Sequence, residues 1–247
     1  MLIFIVDTTS IHGGVAVYRD AECLAMAPNR ESSGYSVTLF QATEKVLAEA
    51  GGKVVNCKLN LDDIDLFAAA NGPGSFTGIR TGLAAIQGWA TALRKPVVGF
   101  SILEAMAHQA RFETESAAAI IDAHRDEFYV GLFRRVKNSD RAVVQIDQGG
   151  FVLAGEGVER LIQSQLDDSQ RAAWVTCILR EHDPAASGLA EHSEALRKLK
   201  WEVVPDCLLQ SIAELALEAS TSGKTVKPAD LDAFYIRRTD AELNWRA

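Results

Sequence analysis

The sequence predicts an α/β protein made of two related halves, each with a mixed sheet flanked by helices. Apolar runs of strand length, such as Leu2 to Val6 and Ala117 to Ile121, alternate with helical patterns along the chain. Each of these two runs ends in an aspartate, Asp7 or Asp122, and is followed by a polar turn and a returning strand. This repeated arrangement indicates two copies of one supersecondary unit.

The bulk composition is that of a globular protein with a full core. The chain has 247 residues, 48% of them hydrophobic and 23% charged, enough for one large domain or two small ones. The formal net charge of −8 argues against broad electrostatic binding of nucleic acid by this chain alone. Four cysteines without metal-ligand spacing, and no signal-like or membrane-length apolar run, lead us to expect a cytoplasmic protein.

The turn after the first strand carries the residue types of a phosphate site. Asp7, Thr8 and Thr9 follow the apolar run directly, and Gly13-Gly14 opens the returning strand. Such a hairpin presents hydroxyls and backbone amides to a phosphate, and an aspartate there binds a metal ion or orients a water. The same residues also cap turns by bonding to the local backbone, so both interpretations stand.

A glycine-rich loop, Gly72 to Ser75, joins the buried strand Leu66 to Ala70 to a helical pattern. Backbone N–H groups at a helix N-terminus favour anions. The loop is not a Walker A sequence, because no Lys-Ser/Thr pair follows Gly78, and its glycine spacing is one residue longer than the dinucleotide fingerprint. The alternative is a strand-to-helix turn whose glycines allow close packing.

Two amphipathic helices are predicted in the N-terminal half, over Ser36 to Ala50 and Thr77 to Leu93, the first ending at Gly51-Gly52. In the second, apolar residues repeat at intervals of four and three, as along the seam of a helical bundle: Ile79, Leu83, Ile86, Ala90 and Leu93. Another face of this helix consists of small residues that a second backbone can approach closely: Gly78, Gly82 and Ala85. One face packs on the chain's own sheet, and the other packs on a partner or is also buried within the chain.

The segment from Asn71 to Leu83, which reads NGPGSFTGIRTGL, closely resembles the GPGSFTGxRxG signature of the bacterial TsaB (YeaZ) family. Three further segments resemble family motifs in the same order along the chain. They are Phe4 to Thr9 (IDTS), Ile121 to Tyr129 (DARRGEVY) and Phe234 to Arg238 (PxYLR). The resemblance therefore extends over nearly the whole sequence.

The resemblance implies an actin-like ATPase fold (ASKHA, ribonuclease H-like) with two subdomains. The N-terminal subdomain is expected at residues 1–104 and the C-terminal one at residues 105–247. A helix at about residues 206–222 is expected to pack back on the first subdomain.

The actin-like fold also implies a nucleotide site, which we expect to be vestigial. Its residues would be Asp7, Thr8, Thr9, Gly72, Gly74 and Ser75. The second hairpin lacks phosphate-loop glycines, and Cys177 to Pro184 lacks the Gly-Gly turn that lies under adenosine in this fold. No cofactor is therefore expected to be required, ATP or ADP would bind weakly if at all, and no metal is expected. Tyr35 stands where the family usually has a histidine.

Family members are non-catalytic partners of TsaD in making threonylcarbamoyladenosine at position 37 of tRNA, so the resemblance implies a scaffold subunit without catalytic residues. Its two N-terminal helices would form a bundle with their counterparts on TsaD, through Val37, Phe40, Gly78, Arg80, Gly82, Ala85 and Trp89. The ATPase TsaE would join the assembly. The chain would contact tRNA only through the complex, form a homodimer when alone, and have no membrane partner.

Two other functions compete with this interpretation. The first is an actin-like small-molecule kinase, in which Asp7 would bind the metal ion and the glycine loop would bind phosphate. A metallopeptidase is the second, but the sequence has no HExxH motif and no close pair of histidines near the first long helix.

Overall fold

Residues distant in sequence form the first of two structural units in this computed structural model. Unit 1 comprises Met1–Ala105 and Asp206–Phe234, and unit 2 comprises Met106–Pro205 and the chain from Tyr235 onward. The structure describes residues 1–29, 34–54, 58–114, 116–136, 143–146, 149–164, 175–185, 188–189, 196 and 199–236.

The sheet of unit 1 has five strands in the order β3-β2-β1-β4-β5. β1 is antiparallel to β2 and parallel to β4, while β2–β3 is antiparallel and β4–β5 parallel. The strands are β1 (Leu2–Asp7), β2 (Gly14–Arg19), β3 (Glu22–Pro28), β4 (Leu66–Gly72) and β5 (Val97–Ser101). The central strands β1 and β4 are nearly continuous apolar runs because both faces of the sheet are covered.

Helices cover the two faces of this sheet. On one face, α1 (Tyr35–Val54) and α2 (Phe76–Leu93) pack over a core that includes Phe4 and Val6. Ile3 and Ile5 alternate with those residues and point to the other face, where α5 (Leu209–Thr221) packs against the strands. The short helix α3 (Ile102–Gln109) follows β5 directly.

The end predicted for the first long helix was wrong. α1 begins at Tyr35 and continues through Gly51 and Gly52 to Val54. Val46, Leu47 and Ala50 are buried in the core just before the glycines, and Gly51 is itself buried. Tertiary packing of the last turns therefore overrides the weak helix propensity of glycine.

The sheet of unit 2 has the order β11-β10-β6-β7-β8, and β9 pairs with β7. β6 and β7 form the second antiparallel hairpin, while β10 runs parallel to β6 and to β11. The elements are β6 (Ser116–Asp122), β7 (Glu127–Arg135), β8 (Val143–Gln145), β9 (Phe151–Ala154), α4 (Gly155–Ser164), β10 (Val175–Arg180) and β11 (Lys200–Val204). Two mixed sheets, each flanked by helices, confirm the fold class predicted from the sequence.

The segment after α5 lies across unit 1. Val226 exchanges two backbone hydrogen bonds with Val97 at the edge of the sheet. A short 3-10 turn follows at Pro228–Asp230, and another precedes β4 at Leu61–Asp63. Phe234 N donates to the Asn71 carbonyl at 2.8 Å. Within the C-terminal motif of the family, Arg237 and Arg238 lie outside the described residues.

Among the described helices, none is long and apolar enough to cross a membrane.

Candidate functional site

Asp7, Thr8 and Thr9 form a tight, buried turn at the end of β1. Their relative exposures are 1%, 1% and 2%. Asp7 Oδ1 accepts hydrogen bonds from Thr9 N at 2.9 Å and from Thr9 Oγ1 at 2.7 Å. The aspartate therefore caps its own turn, as aspartates commonly do.

The glycine loop connects β4 to α2. The Gly72–Pro73 peptide bond is cis, and Gly72 has φ of +125°, a conformation open to glycine. Ser75 is the N-cap of α2, since its Oγ accepts from Gly78 N at 3.2 Å. Ser75 N donates to the Thr9 carbonyl at 2.7 Å, which ties this loop to the first turn.

The two loops pack so closely that side chains are excluded between them. A Cβ on Gly74 or Gly78 would overlap the carbonyl oxygen of Thr9 or Thr8, respectively. A Cβ on Gly82 would overlap Thr8 Oγ1, the atom that donates to the Gly78 carbonyl at 2.7 Å. We call this contact of residues 7–9 with residues 72–82 the loop junction.

The loop junction brings together all six residues predicted for the nucleotide site: Asp7, Thr8, Thr9, Gly72, Gly74 and Ser75. Five donors that a phosphate could use are engaged within the chain. Both threonine hydroxyls donate internally, and so do the amides of Thr9, Ser75 and Gly78. The close contacts of Gly74 and Gly78 with the first turn match the close-packing interpretation of the glycines.

The residues predicted for the partner interface fall into two groups. Gly78 and Gly82 are buried beneath Thr8 of the same chain, so their assignment to a partner surface was wrong. The close approach of a second backbone, expected from the small residues, is made by the protein's own first turn. A bulky residue at position 82 would disturb this junction before it could disturb a partner.

The other predicted interface residues reach the surface of α1 and α2. Val37 and Phe40 are 65% and 58% exposed, Arg80 is exposed, and Ala85 and Trp89 are half-buried. Phe40 contacts Trp89 edge to face, with ring centroids 5.9 Å apart, and Trp89 contacts the buried Phe4 at 5.7 Å. We call Val37, Phe40 and Trp89 the exposed helical face.

Phe76, the first residue of α2, was missed by the sequence reasoning. It is 42% exposed, and the guanidinium carbon of Arg80 lies 3.8 Å from the centroid of its ring. The spacing of four residues on a helix, aromatic then arginine, is the signal that could have revealed this pair.

The second hairpin, which begins at the predicted Asp122, is held by contacts of its turn and by Asp183. His124, Arg125 and Asp126 all have φ near +60°, and His124 Nδ1 lies 3.0 Å from Asp122 Oδ2. Asp183 Oδ1 accepts from Asp122 N and from Ala185 N, both at 3.0 Å.

Arg180 pairs with the Asp183 carboxylate at 3.2 Å, and both side chains are buried. The Asp-Pro pair after β10 is the sequence pattern that could have pointed to Asp183, since aspartate precedes proline at many helix starts.

Comparison with known proteins agrees with the motif resemblance. A family model described as "TsaD: tRNA N6-adenosine threonylcarbamoyltransferase" matches residues 25–203. A relative from Haemophilus influenzae, named tRNA threonylcarbamoyladenosine biosynthesis protein TsaB, is 40% identical over 213 residues, covering 83% of this chain and 82% of the relative. The chain belongs to the TsaB (YeaZ) family. The resemblance seen in the four motifs is thereby confirmed.

The TsaB match extends over nearly the whole chain. The Escherichia coli relative of the same name is 29% identical over 243 residues, covering 98% of this chain and 96% of the relative. A solved structure titled YeaZ from Pseudomonas aeruginosa superposes with a TM-score of 0.68 at 21% identity, covering 95% of this chain and 99% of that one. That structure shows that both chains share one fold.

Proposed function

We propose that this chain is a scaffold subunit in the biosynthesis of threonylcarbamoyladenosine at position 37 of tRNA, where it binds and stabilises the catalytic subunit TsaD. Membership of the TsaB family supports the pathway. The loop junction supports a role without catalysis of its own, because both threonine hydroxyls and the amides of Thr9, Ser75 and Gly78 donate hydrogen bonds within the chain. TsaE joins the same assembly, and the chain contacts tRNA only through the complex.

The exposed helical face is the observation that carries this proposal. Val37 and Phe40 leave more than half of their surface in water, beside the half-buried Trp89. Fully burying a side chain of this kind contributes about 1.5–3 kcal/mol, and an aromatic anchor beside a second ring is a common hot spot. Two neighbouring helices with such a face complete a four-helix bundle when a partner supplies two more.

We propose that the same face also forms a homodimer when TsaD is absent. Two copies would bury Val37 and Phe40 against each other across a two-fold axis. TsaD and a second copy would then compete for one surface, so the dimer dissociates when the heterodimer forms.

Phe40→Glu tests the proposal. A carboxylate placed in the centre of the face should weaken TsaD binding at least tenfold, since an uncompensated buried charge costs well over the 1.4 kcal/mol that corresponds to tenfold. Val203→Glu is the matched control, because Val203 is 61% exposed on β11 in unit 2, and it should leave affinity unchanged. Affinity is measured by calorimetry with TsaD from the same source. Equal affinity of Phe40→Glu and the unmodified chain would contradict the proposal.

A further inference from the structure

The hydroxyl of Tyr35 lies where three segments of unit 1 meet. Tyr35 is the first residue of α1, and its OH donates to the Ser10 carbonyl at 2.7 Å. That carbonyl belongs to the turn between β1 and β2, which is joined to the end of β3 by a 2.8 Å bond from Asn29 N to the Gly13 carbonyl. A Cβ on Gly13 would lie 2.9 Å from the phenol oxygen, so a side chain at position 13 would crowd the hydroxyl.

The first turn of α1 lies at the edge of the helix layer, next to a cleft. It is preceded by Gly34, which has no side chain to cap the free N–H groups of the helix and contributes only its carbonyl, bonded to Val37 N at 3.0 Å. Beneath this turn is a cleft of about 400 Å³ between α1 and the end of β3, lined by Met26, Pro28, Asn29, Tyr35, Thr38 and Leu39 among others. A helix end that rests over a cleft opens more readily than one packed on all sides.

This first turn carries part of the surface assigned above to TsaD. Val37 belongs to it, and Phe40 follows within one further turn. If the turn opens in the free chain, the partner has to order it on binding, and that ordering reduces the affinity.

We infer that Tyr35 is a positioning residue for the exposed helical face: its hydrogen bond to Ser10 holds the first turn of α1 in the conformation that TsaD binds. This inference rests on the proposed function and adds a residue that does not itself belong to the exposed helical face. The ring fixes the helix start against the β1–β2 turn, and the hydroxyl sets its distance.

The phenol keeps its proton over the physiological range. Burial raises the pKa of Tyr35 above its ordinary value, and the nearby carboxylate of Asp7 raises it further. The hydroxyl therefore remains a donor to Ser10 at neutral pH.

Tyr35→Phe, which removes only the hydroxyl, tests the inference. We expect TsaD affinity to fall about three- to tenfold, the range that corresponds to the loss of one hydrogen bond. In the free chain, amide hydrogen exchange within residues 36–40 should become faster by a similar factor. Tyr18→Phe is the matched control, since Tyr18 is also a buried tyrosine of unit 1 but interacts with Cys23 and with α5 on the opposite face of the sheet. It should change neither measurement.

The outcomes separate the two proposals. Unchanged affinity in Tyr35→Phe, or an equal loss in Tyr18→Phe, would overturn the positioning role of Tyr35. If Phe40→Glu binds TsaD normally, the proposed function itself fails. If Phe40→Glu weakens binding and Tyr35→Phe does not, only the inference about Tyr35 fails.

Discussion

Thr8 explains the small residues of α2. Its carbonyl occupies the place of a Cβ on Gly78, and its hydroxyl occupies the place of one on Gly82, four residues later on the same face of the helix. The hydroxyl also donates to the Gly78 carbonyl at 2.7 Å. Thr8 therefore requires glycine at both positions. The two glycines belong to the family signature, so this part of the signature serves a contact within the chain.

The contact with Thr8 predicts opposite effects for one substitution at two glycines of α2. Gly82→Ala places a methyl group on Thr8 Oγ1 and 3.2 Å from Val6 Cγ1, and should lower the free energy of unfolding by about 2 kcal/mol. Gly88→Ala meets nothing within 4 Å and should raise it by up to about 1 kcal/mol through helix propensity. Urea denaturation measures both. If both variants lost stability, the loss would not depend on contact with Thr8. The explanation of Gly82 by that contact would then be wrong.

Glu104 on α3 predicts a pH dependence of stability. Burial raises the pKa of its carboxyl above the ordinary 4.5, Glu218 raises it further, and Lys224 opposes them. The folded chain therefore holds this proton more tightly than the unfolded chain, and stability falls as the pH rises through the interval between the two pKa values.

Glu104→Gln, which cannot ionise, should consequently be more stable than the unmodified chain at pH 7. The gain should disappear below about pH 4, where the carboxyl is protonated in both states. Thermal unfolding at the two pH values measures the difference. A gain of the same size at both would mean that ionisation of Glu104 has no part in it.

At the scale of elements, the hairpin β6–β7 depends on one buried ion pair. Asp183 accepts from the backbone of Asp122 and of Ala185 and pairs with Arg180, whose side chain is 8% exposed. Breaking a buried pair by removing one partner costs roughly 3–5 kcal/mol, since the other charge is left uncompensated.

Asp183→Ala should therefore destabilise the protein by about 3 kcal/mol. Asp183→Asn keeps an oxygen for the two backbone amides and should cost less, as judged by guanidinium denaturation. Equal losses would assign the whole effect to the charge of Arg180 and none to the hairpin.

The elements that could be predicted from sequence are those whose signal is local. The continuous apolar runs of β1 and β4 and the period of α2 gave the right strands and helix, because burial on both faces or on one face leaves a direct pattern. The predicted end of α1 was wrong because Val46 and Ala50 pack in the core and hold the helix beyond them. No local signal at Gly51 reveals this packing.

The loop junction and the Tyr35 contact were harder to predict, because they join residues that are far apart in the sequence. Thr8 and Gly78 are 70 positions apart, and Tyr35 and Ser10 are 25 apart. The sequence predicted which residues gather at the loop junction, since the carboxyl ends of β1 and β4 meet at one edge of a sheet. It could not show that their hydroxyls and amides would bond to one another, because that depends on distances of a few tenths of an ångström.

At the scale of the whole molecule, unit 1 is assembled from two stretches that flank most of unit 2 in the sequence. Ile3 and Ile5 face the side of the sheet where α5 packs, and α5 begins only at Leu209. During synthesis at about 5–20 residues per second, the residues from Met106 to Pro205 take roughly 5–20 s to be made. For that time Ile3 and Ile5 lack the helix that covers them in the folded unit, and an apolar surface left open during synthesis is prone to aggregation until α5 emerges.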